Sequence, residues 1–213
     1  MVLGSNDAIV STASLMLGVA ASSASRQSVL VAGVAGLVAG SMSMAAGEFV
    51  SVSSQRDAED ADIERERREL GAEPQAELSE LAKIYEKRGL DSELAAKVAA
   101  QLTAHDVLAA HMRDELGIDK HSRARPFQAA WTSAISFAVF AMVPILALLM
   151  APERARIPVV AATSLVSLIG LGAIGGYLGG ASVWRAALRV TLGGTLAMAL
   201  TAAIGRAVGV SVN

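Results

Sequence analysis

Cysteine is missing from the 213-residue sequence. Its absence excludes disulfides and thiolate metal sites, so any metal ion would be held by oxygen, imidazole or thioether ligands, which suit hard or borderline divalent cations. Aromatic residues make up only 4% and charged residues 18% of the chain, whereas hydrophobic residues reach 53% and the mean hydropathy is +0.48. Too little polar surface remains for a soluble domain of this length, so the sequence predicts a membrane protein.

Charge is also scarce outside one segment. Residues 53–126, called the polar block below, hold 17 of the 20 acidic and 12 of the 18 basic side chains. The net charge of −2 gives no reason to expect a nucleic acid partner. A cleavable signal peptide is not expected, because the first apolar run has no basic lead-in and no small-residue cleavage site.

Apolar runs flank the polar block on both sides, at residues 2–24, 28–52, 127–150, 156–181 and 184–211. Each run is long enough for a helix that crosses a hydrocarbon core, which takes about 20 residues. We therefore predict an all-α polytopic membrane protein with five transmembrane helices. Helices 1 and 2 occupy residues 1–52, a helical metal-binding domain occupies 53–126, and helices 3 to 5 occupy 127–213. Grouping the loop arginines by side places the polar block in the cytoplasm under the positive-inside rule.

The polar block has a helical pattern with breaks near Pro74, Gly89 and residue 104. Its apolar side chains recur at helical spacing, which predicts that they form a core of their own. The predicted core positions are Leu78, Leu81, Ile84, Tyr85, Leu90, Leu94, Val98 and Leu102.

Carboxylates recur one helical turn apart between residues 47 and 80. On a helix that runs to about Leu70, this spacing places Asp62, Glu66 and Glu69 on one face, and beyond Pro74 the spacing of Glu77 and Glu80 repeats the pattern. Such carboxylates repel one another unless cations lie among them, so the pattern is typical of an arm that collects metal ions. The alternative is a solvated helix whose glutamates and arginines form ordinary surface pairs.

The segment HMRDE adds a second type of ligand. It places His111 and Glu115 one helical turn apart, with Met112 three residues before the glutamate, so imidazole, thioether and carboxylate could converge on one ion. A surface histidine beside a glutamate is the alternative interpretation. His105 and His121 have no such neighbours, and we expect both at the surface.

Three polar or soft side chains stand out within the apolar runs. Asp7 lies in the first run, where a carboxylate is costly to bury and is a functional candidate unless it sits among lipid headgroups. Met44 and Glu48 form an i, i+4 pair in the second run. Together with the acidic polar block, these residues indicate a path for a divalent cation.

Glycines recur at four-residue spacing in the apolar runs, as in Gly172 and Gly176 or Gly205 and Gly209. Such faces let helix backbones approach closely. We expect them to serve internal helix packing or a dimer seam.

Several motifs resemble those of the vacuolar iron transporter family, including its bacterial branch. They are NDAIVSTASLMLGVAAS in the first run, AGSMSMAAGEFVSVSSQ at the end of the second, the following DAEDADIERERREL, and ELGID before the third. The resemblance covers nearly the whole chain. It implies a homodimer of five-helix subunits that exports Fe²⁺, and related ions such as Mn²⁺, from the cytosol in exchange for protons.

The resemblance also implies roles for individual residues. The membrane carboxylate of the family falls on Asp7 and its translocation-path methionine on Met44, with Glu48 a further candidate on the path. The cytoplasmic metal ligands of the family fall on Glu66, Glu69, Glu77, Glu80 and Glu115. Where plant members have two adjacent methionines, this chain has His111 and Met112, which makes binding more sensitive to protonation.

The predicted function is thus divalent metal transport rather than enzyme catalysis, with no prosthetic group. Fe²⁺ is the expected cargo, and Mn²⁺, Co²⁺ or Zn²⁺ are possible ones. The alternatives are a membrane-anchored metal sensor and a ferroxidase-like di-iron protein, although the sequence lacks the Glu-x-x-His pairs usual in di-iron bundles. The expected location is a bacterial inner membrane, and a vacuolar membrane is the less favoured alternative.

Overall fold

The computed structural model describes residues 2–118 and 123–212, and over these residues the chain folds into seven α-helices and one short 3-10 turn at Glu153–Ala155. This confirms the prediction of an all-helical chain. The helices are α1 (Val2–Ala21), α2 (Arg26–Ala72), α3 (Pro74–Lys87), α4 (Ser92–Asp114), α5 (Pro126–Met150), α6 (Arg156–Leu178) and α7 (Val183–Val212).

The chain forms two compact units. The first, called the membrane unit, comprises Met1–Phe49 and Phe127–Asn213, and the second, called the polar unit, comprises Val50–Pro126. Helix α2 runs through 47 residues without a break and contributes its first half to the membrane unit and its second half to the polar unit.

Four of the described helical segments are long and apolar enough to cross a membrane: Arg26–Ala72, Pro126–Met150, Glu153–Leu178 and Val183–Val210. This confirms an integral membrane protein. Helix α1 is not among the four. Its crossing of the membrane, the fifth in our prediction, therefore stays a prediction.

The core of the membrane unit lies where α1 packs against its neighbours. Ile9 and Met16 of α1 are fully buried and belong to one cluster with Leu148 of α5, Leu168 of α6 and Met198 of α7. Small residues bring the backbones together: a Cβ atom added at Gly205 would overlap the carbonyl oxygen of Gly18, and one at Gly172 would lie 2.7 Å from the Cα of Ala187. These glycines therefore serve packing within the chain.

In the polar unit, α3 and α4 pack through Leu81, Ala99 and Ala110, all nearly or fully buried. The predicted break between α2 and α3 is confirmed, since α2 ends at Ala72 and α3 begins with Pro74, which suits the first turn of a helix. The next break falls at Gly89, whose φ of +103° favours glycine.

One prediction for the polar unit is wrong in detail. Leu94 is 45% exposed, because α4 directs its alanines, Ala95 and Ala99, toward the interior instead. The predicted break near residue 104 is confirmed, since α4 kinks at Asp106, whose backbone is not helical (φ −161°, ψ 91°). The Asp106 side chain accepts a hydrogen bond from the Ala109 backbone N–H at 3.0 Å, as an N-cap residue does, and so starts the last two turns of α4.

Candidate metal centre

Four predicted ligands from three helices meet inside the polar unit. Glu66 comes from α2, Glu77 from α3, and His111 and Glu115 from the end of α4. One possible ligand atom from each side chain lies within 4.8 Å of all the others. The break at residue 73 lets α3 turn back beside α2, and the kink at Asp106 sets the direction of the last turns of α4.

The imidazole of His111 is at the centre of this group. Its Nδ1 lies 2.9 Å from Glu66 Oε1, 2.9 Å from Glu115 Oε2 and 3.8 Å from Glu77 Oε2. Only the contact with Glu115 has hydrogen-bond geometry. A single Nδ1–H cannot serve two carboxylates well, whereas a divalent cation in the middle would attract all of these oxygens.

The side chains of this group have little exposure to solvent. His111 is fully buried and Glu66 is 1% exposed, while the side chains of Glu77 and Glu115 are 12% and 26% exposed. Within the described residues, Glu66 Oε1 and His111 Nε2 are buried atoms without a hydrogen-bond partner. Buried polar atoms are nearly always paired, so the unpaired carboxylate oxygen of Glu66 beside His111 Nδ1 indicates room for a cation ligand among these side chains.

The electrostatics of the cluster agree with that interpretation. The pKa of Glu66 is raised from 4.5 to about 7, mainly by burial and next by the charge of Glu115, against the opposing effect of His111. Burial likewise raises the pKa of Glu77, followed by the charge of Glu80. A carboxyl group such as that of Glu66 can hold a proton near neutral pH and release it when a cation replaces the proton.

The remaining predicted ligands lie around this group. Glu69 and Glu80 are exposed at the rim, close enough that their charges raise the pKa values of Glu66 and Glu77. Met112 is 5% exposed and follows His111 directly. Of the two histidines expected at the surface, His105 is exposed and His121 lies outside the described residues.

Sequence reasoning missed a second cluster beside the first. Asp114, whose side chain is 6% exposed, accepts hydrogen bonds from Tyr85 Oη (2.7 Å) and Arg88 Nη1 (2.6 Å) of the α3 end and from the neighbouring Arg113 (2.6 Å). The guanidinium groups hold the pKa of Asp114 well below its usual range despite burial. The only sequence signal was its position between His111 and Glu115, since Tyr85 had been assigned to the core.

The three candidates in the membrane unit line two neighbouring cavities. Asp7, Ser11, Thr12, Ser43 and Met44 are among the residues around a cavity of about 200 Å³. Met44 also borders a second cavity of about 290 Å³, which contains Glu48. Asp7 is exposed on the surface of the single chain, and Met44 and Glu48 are partly buried.

Comparison with known proteins decides the family. The sequence profile of the VIT family matches residues 1–206, nearly the whole chain. The chain belongs to the VIT family. A relative named vacuolar iron transporter, from Acanthamoeba castellanii, is 48% identical over 205 residues, which cover 96% of this chain and 76% of that protein.

Plant members of the VIT family are also similar to this chain. Vacuolar iron transporter homolog 2 of Oryza sativa subsp. japonica is 40% identical over 95% of this chain and 86% of its own length. Vacuolar iron transporter homolog 3 of Arabidopsis thaliana is 38% identical over 94% of this chain and 77% of its own length. These three relatives come from an amoeba and from plants and are named for vacuoles, so they give no support to the expected bacterial branch or bacterial inner membrane.

Proposed function

We propose that this VIT-family chain exports Fe²⁺, and with it Mn²⁺, from the cytosol in exchange for protons. The observation that carries the proposal is the buried group of three glutamates and one histidine, in which two polar atoms have no partner. Oxygen and imidazole ligands suit borderline cations of this kind. The names of the relatives support iron as the cargo.

Capture of the ion is the first stage. Glu69 and Glu80 at the rim attract the hydrated cation, and Glu66, Glu77, His111 and Glu115 replace part of its water, with Met112 as a further soft ligand. The bound cation neutralises carboxylates that otherwise repel each other or stay protonated. The polar unit faces the cytosol in this scheme.

Passage through the membrane unit is the second stage. The ion moves along the cavities that Asp7, Met44 and Glu48 line, where oxygen and sulfur replace lost water. Helix α1 acts as the fifth transmembrane helix: its 20 residues span about 30 Å, and its buried face packs in the core. Protons return through the carboxyl groups of Asp7 or Glu48.

A homodimer completes the pathway. Asp7 is exposed on a single chain, and a carboxylate that faces lipid is costly. Exposed apolar side chains, among them Leu15 of α1 and Val34 and Val38 of α2, lie on two of the three helices that border the Asp7 cavity. A second copy on this face would remove the carboxylate from lipid and enclose the path.

Uptake by sealed proteoliposomes tests the proposal. Fe²⁺ is added under an imposed pH gradient, and internal dyes follow metal and pH together. We expect Fe²⁺ uptake with opposite proton movement, loss of uptake in Asp7→Asn, and normal uptake in the matched control Asp57→Asn, which alters an exposed carboxylate of the polar unit. Metal binding without uptake would instead favour a sensor, and oxygen consumption with Fe²⁺ a ferroxidase.

A further inference from the structure

The second cavity of the membrane unit has a lining that the proposed pathway does not explain. It lies between α1, α2 and α5 and measures about 290 Å³. Besides Met44 and Glu48, it is bordered by three hydroxyl side chains of α5, Thr132, Ser133 and Ser136. An apolar helix needs no such residues for membrane insertion.

The hydroxyl groups lie on one face of α5. Thr132 and Ser136 are four residues apart and Ser133 and Ser136 three apart, so all three point to the same side of the helix. Glu48 of α2 lines the same cavity, and its partly buried carboxylate is the one acidic group among the lining residues. A carboxylate surrounded by hydroxyl oxygens is a ligand set typical of hard divalent cations.

The floor of the cavity is defined by the start of α1. Ser5 Oγ lies 3.2 Å from Ser136 Oγ, a hydrogen bond that ties α1 to α5. A Cβ atom added at Gly4 would lie 3.5 Å from Met44 Cε and 3.8 Å from Ser136 Oγ, both ordinary contacts. Alanine therefore fits at position 4, whereas a longer side chain would extend into the cavity.

The position and size of the cavity suit an ion that keeps part of its water. One water needs only about 15 Å³ measured in this way, so an ion and several waters have room. The cavity lies at the end of the membrane unit where α5 begins, because Phe49, next to Glu48, packs edge-on against Phe127 with 5.1 Å between ring centroids. Met44 borders both this cavity and the one that Asp7 lines.

We infer that the cavity between α1, α2 and α5 is a further cation site, in which Glu48 and the α5 hydroxyl groups hold a partly hydrated divalent ion before it passes Met44. This inference rests on the proposed function, because the order in which the ion meets the site and Met44 follows from the proposed transport path. The possible side-chain ligand atoms in the cavity are oxygens apart from one thioether, so the site is expected to accept Mn²⁺ as readily as Fe²⁺.

Three changes to the cavity test this site in full-length protein: Glu48→Gln, the double variant Ser133→Ala with Ser136→Ala, and Gly4→Leu. In proteoliposomes, we expect each to lower the initial rate of uptake at low Fe²⁺ about tenfold or more. Thr191→Ala serves as the control with normal uptake, since Thr191 donates its hydroxyl hydrogen to Ala187 O on α7. Normal uptake by the first three variants would overturn the inference.

Binding of Mn²⁺ to detergent-solubilised protein gives an independent result. Electron paramagnetic resonance counts bound Mn²⁺, and we expect one ion fewer per chain in Glu48→Gln and in the serine double variant, with size-exclusion profiles unchanged. Equal counts in these variants and the wild type would refute the site. If wild-type protein transports no ion, the proposed function fails, yet a count reduced by one in Glu48→Gln would still support the cavity as a cation site.

Discussion

At the scale of single residues, position decides which carboxylates can act as ligands. Glu66 and Glu69 are one turn apart on α2, yet Glu66 is 1% exposed and Glu69 lies at the surface. Burial makes Glu66 a group that exchanges a proton for a cation near neutral pH, because desolvation penalises its charged form. Glu69 affects the site through its charge, which raises the pKa of Glu66.

The raised pKa of Glu66 predicts how the metal-free protein responds to pH. Between pH 4.5 and about 7 the folded state holds a proton that the unfolded state releases, so the free energy of unfolding falls as pH rises through this window. The shift corresponds to about 3 kcal/mol. Glu66→Gln, a neutral isostere, should be more stable than wild type at pH 8 and lose this part of the pH dependence.

Thermal unfolding of detergent-solubilised protein in the presence of a chelator measures the effect. The wild type, Glu66→Gln and the control Glu69→Gln are compared at pH 5 and pH 8. The other charged groups around Glu66, namely His111, Glu77, Glu115 and Glu69, are present in Glu66→Gln and contribute their own pH dependence. Parallel pH profiles for wild type and Glu66→Gln would contradict the prediction.

At the scale of helices, one contact between neighbouring helices supports each candidate site. The end of α4 carries both His111 and Glu115, and Asp114 ties that end to α3. In the membrane unit, α1 carries Asp7, and Gly18 allows α7 to approach it closely. The sites therefore depend on packing between helices as well as on their own ligands.

Removal of the Asp114 carboxylate should loosen the end of α4. Asp114→Asn is expected to lower the free energy of local unfolding at the end of α4 by about 2 kcal/mol. This is less than the ~3–5 kcal/mol for loss of one partner of a fully buried ion pair, because Arg88 and Arg113 are 48% and 58% exposed. Tyr85→Phe removes one hydrogen bond and should cost about 1 kcal/mol. Amide hydrogen exchange in α3 and α4 measures both, and unchanged protection in Asp114→Asn would show that the cluster does not stabilise this contact.

A methyl group at the crossing of α1 and α7 should separate these helices. Gly205→Ala places its Cβ against the Gly18 carbonyl, which is backbone and cannot move aside. The variant is expected to lower the thermal midpoint and the monodisperse fraction after extraction. Gly193→Ala on the same helix is the control, since nothing lies within 4 Å of its added Cβ. Equal behaviour of the two variants would argue against a tight crossing.

At the scale of the whole molecule, the proposed homodimer can be tested by disulfide cross-linking. Native thiols do not interfere, because the chain has no cysteine. Val38→Cys on the exposed face of α2 should form an intermolecular disulfide in oxidised membranes. Val166→Cys on α6 is the control: Val166 is 68% exposed, more than the 54% of Val38, but lies away from the Asp7 cavity. Cross-linking of both variants to the same extent would count against this interface.

The sequence by itself determined the broad class of this protein. Composition and long apolar runs indicate membrane helices, since these properties depend on local residues and on the solvent they prefer. The motifs identified the family, and Pro74 and Gly89 marked helix ends, because their backbone preferences are intrinsic. The helical spacing of Glu66, Glu77, His111 and Glu115 also suggested that each could be a ligand.

Only the tertiary structure decided which of these residues meet. Burial of Glu66 beside His111, exposure of Leu94 in place of Ala95, and the Asp114 cluster all depend on how α2, α3 and α4 pack together. The hydroxyl groups of α5 are likewise unremarkable in sequence and gain meaning only opposite Glu48. Helical periodicity assigns a residue to a face of its own helix, whereas desolvation and convergence of ligands depend on the neighbouring helices, which are distant in the chain.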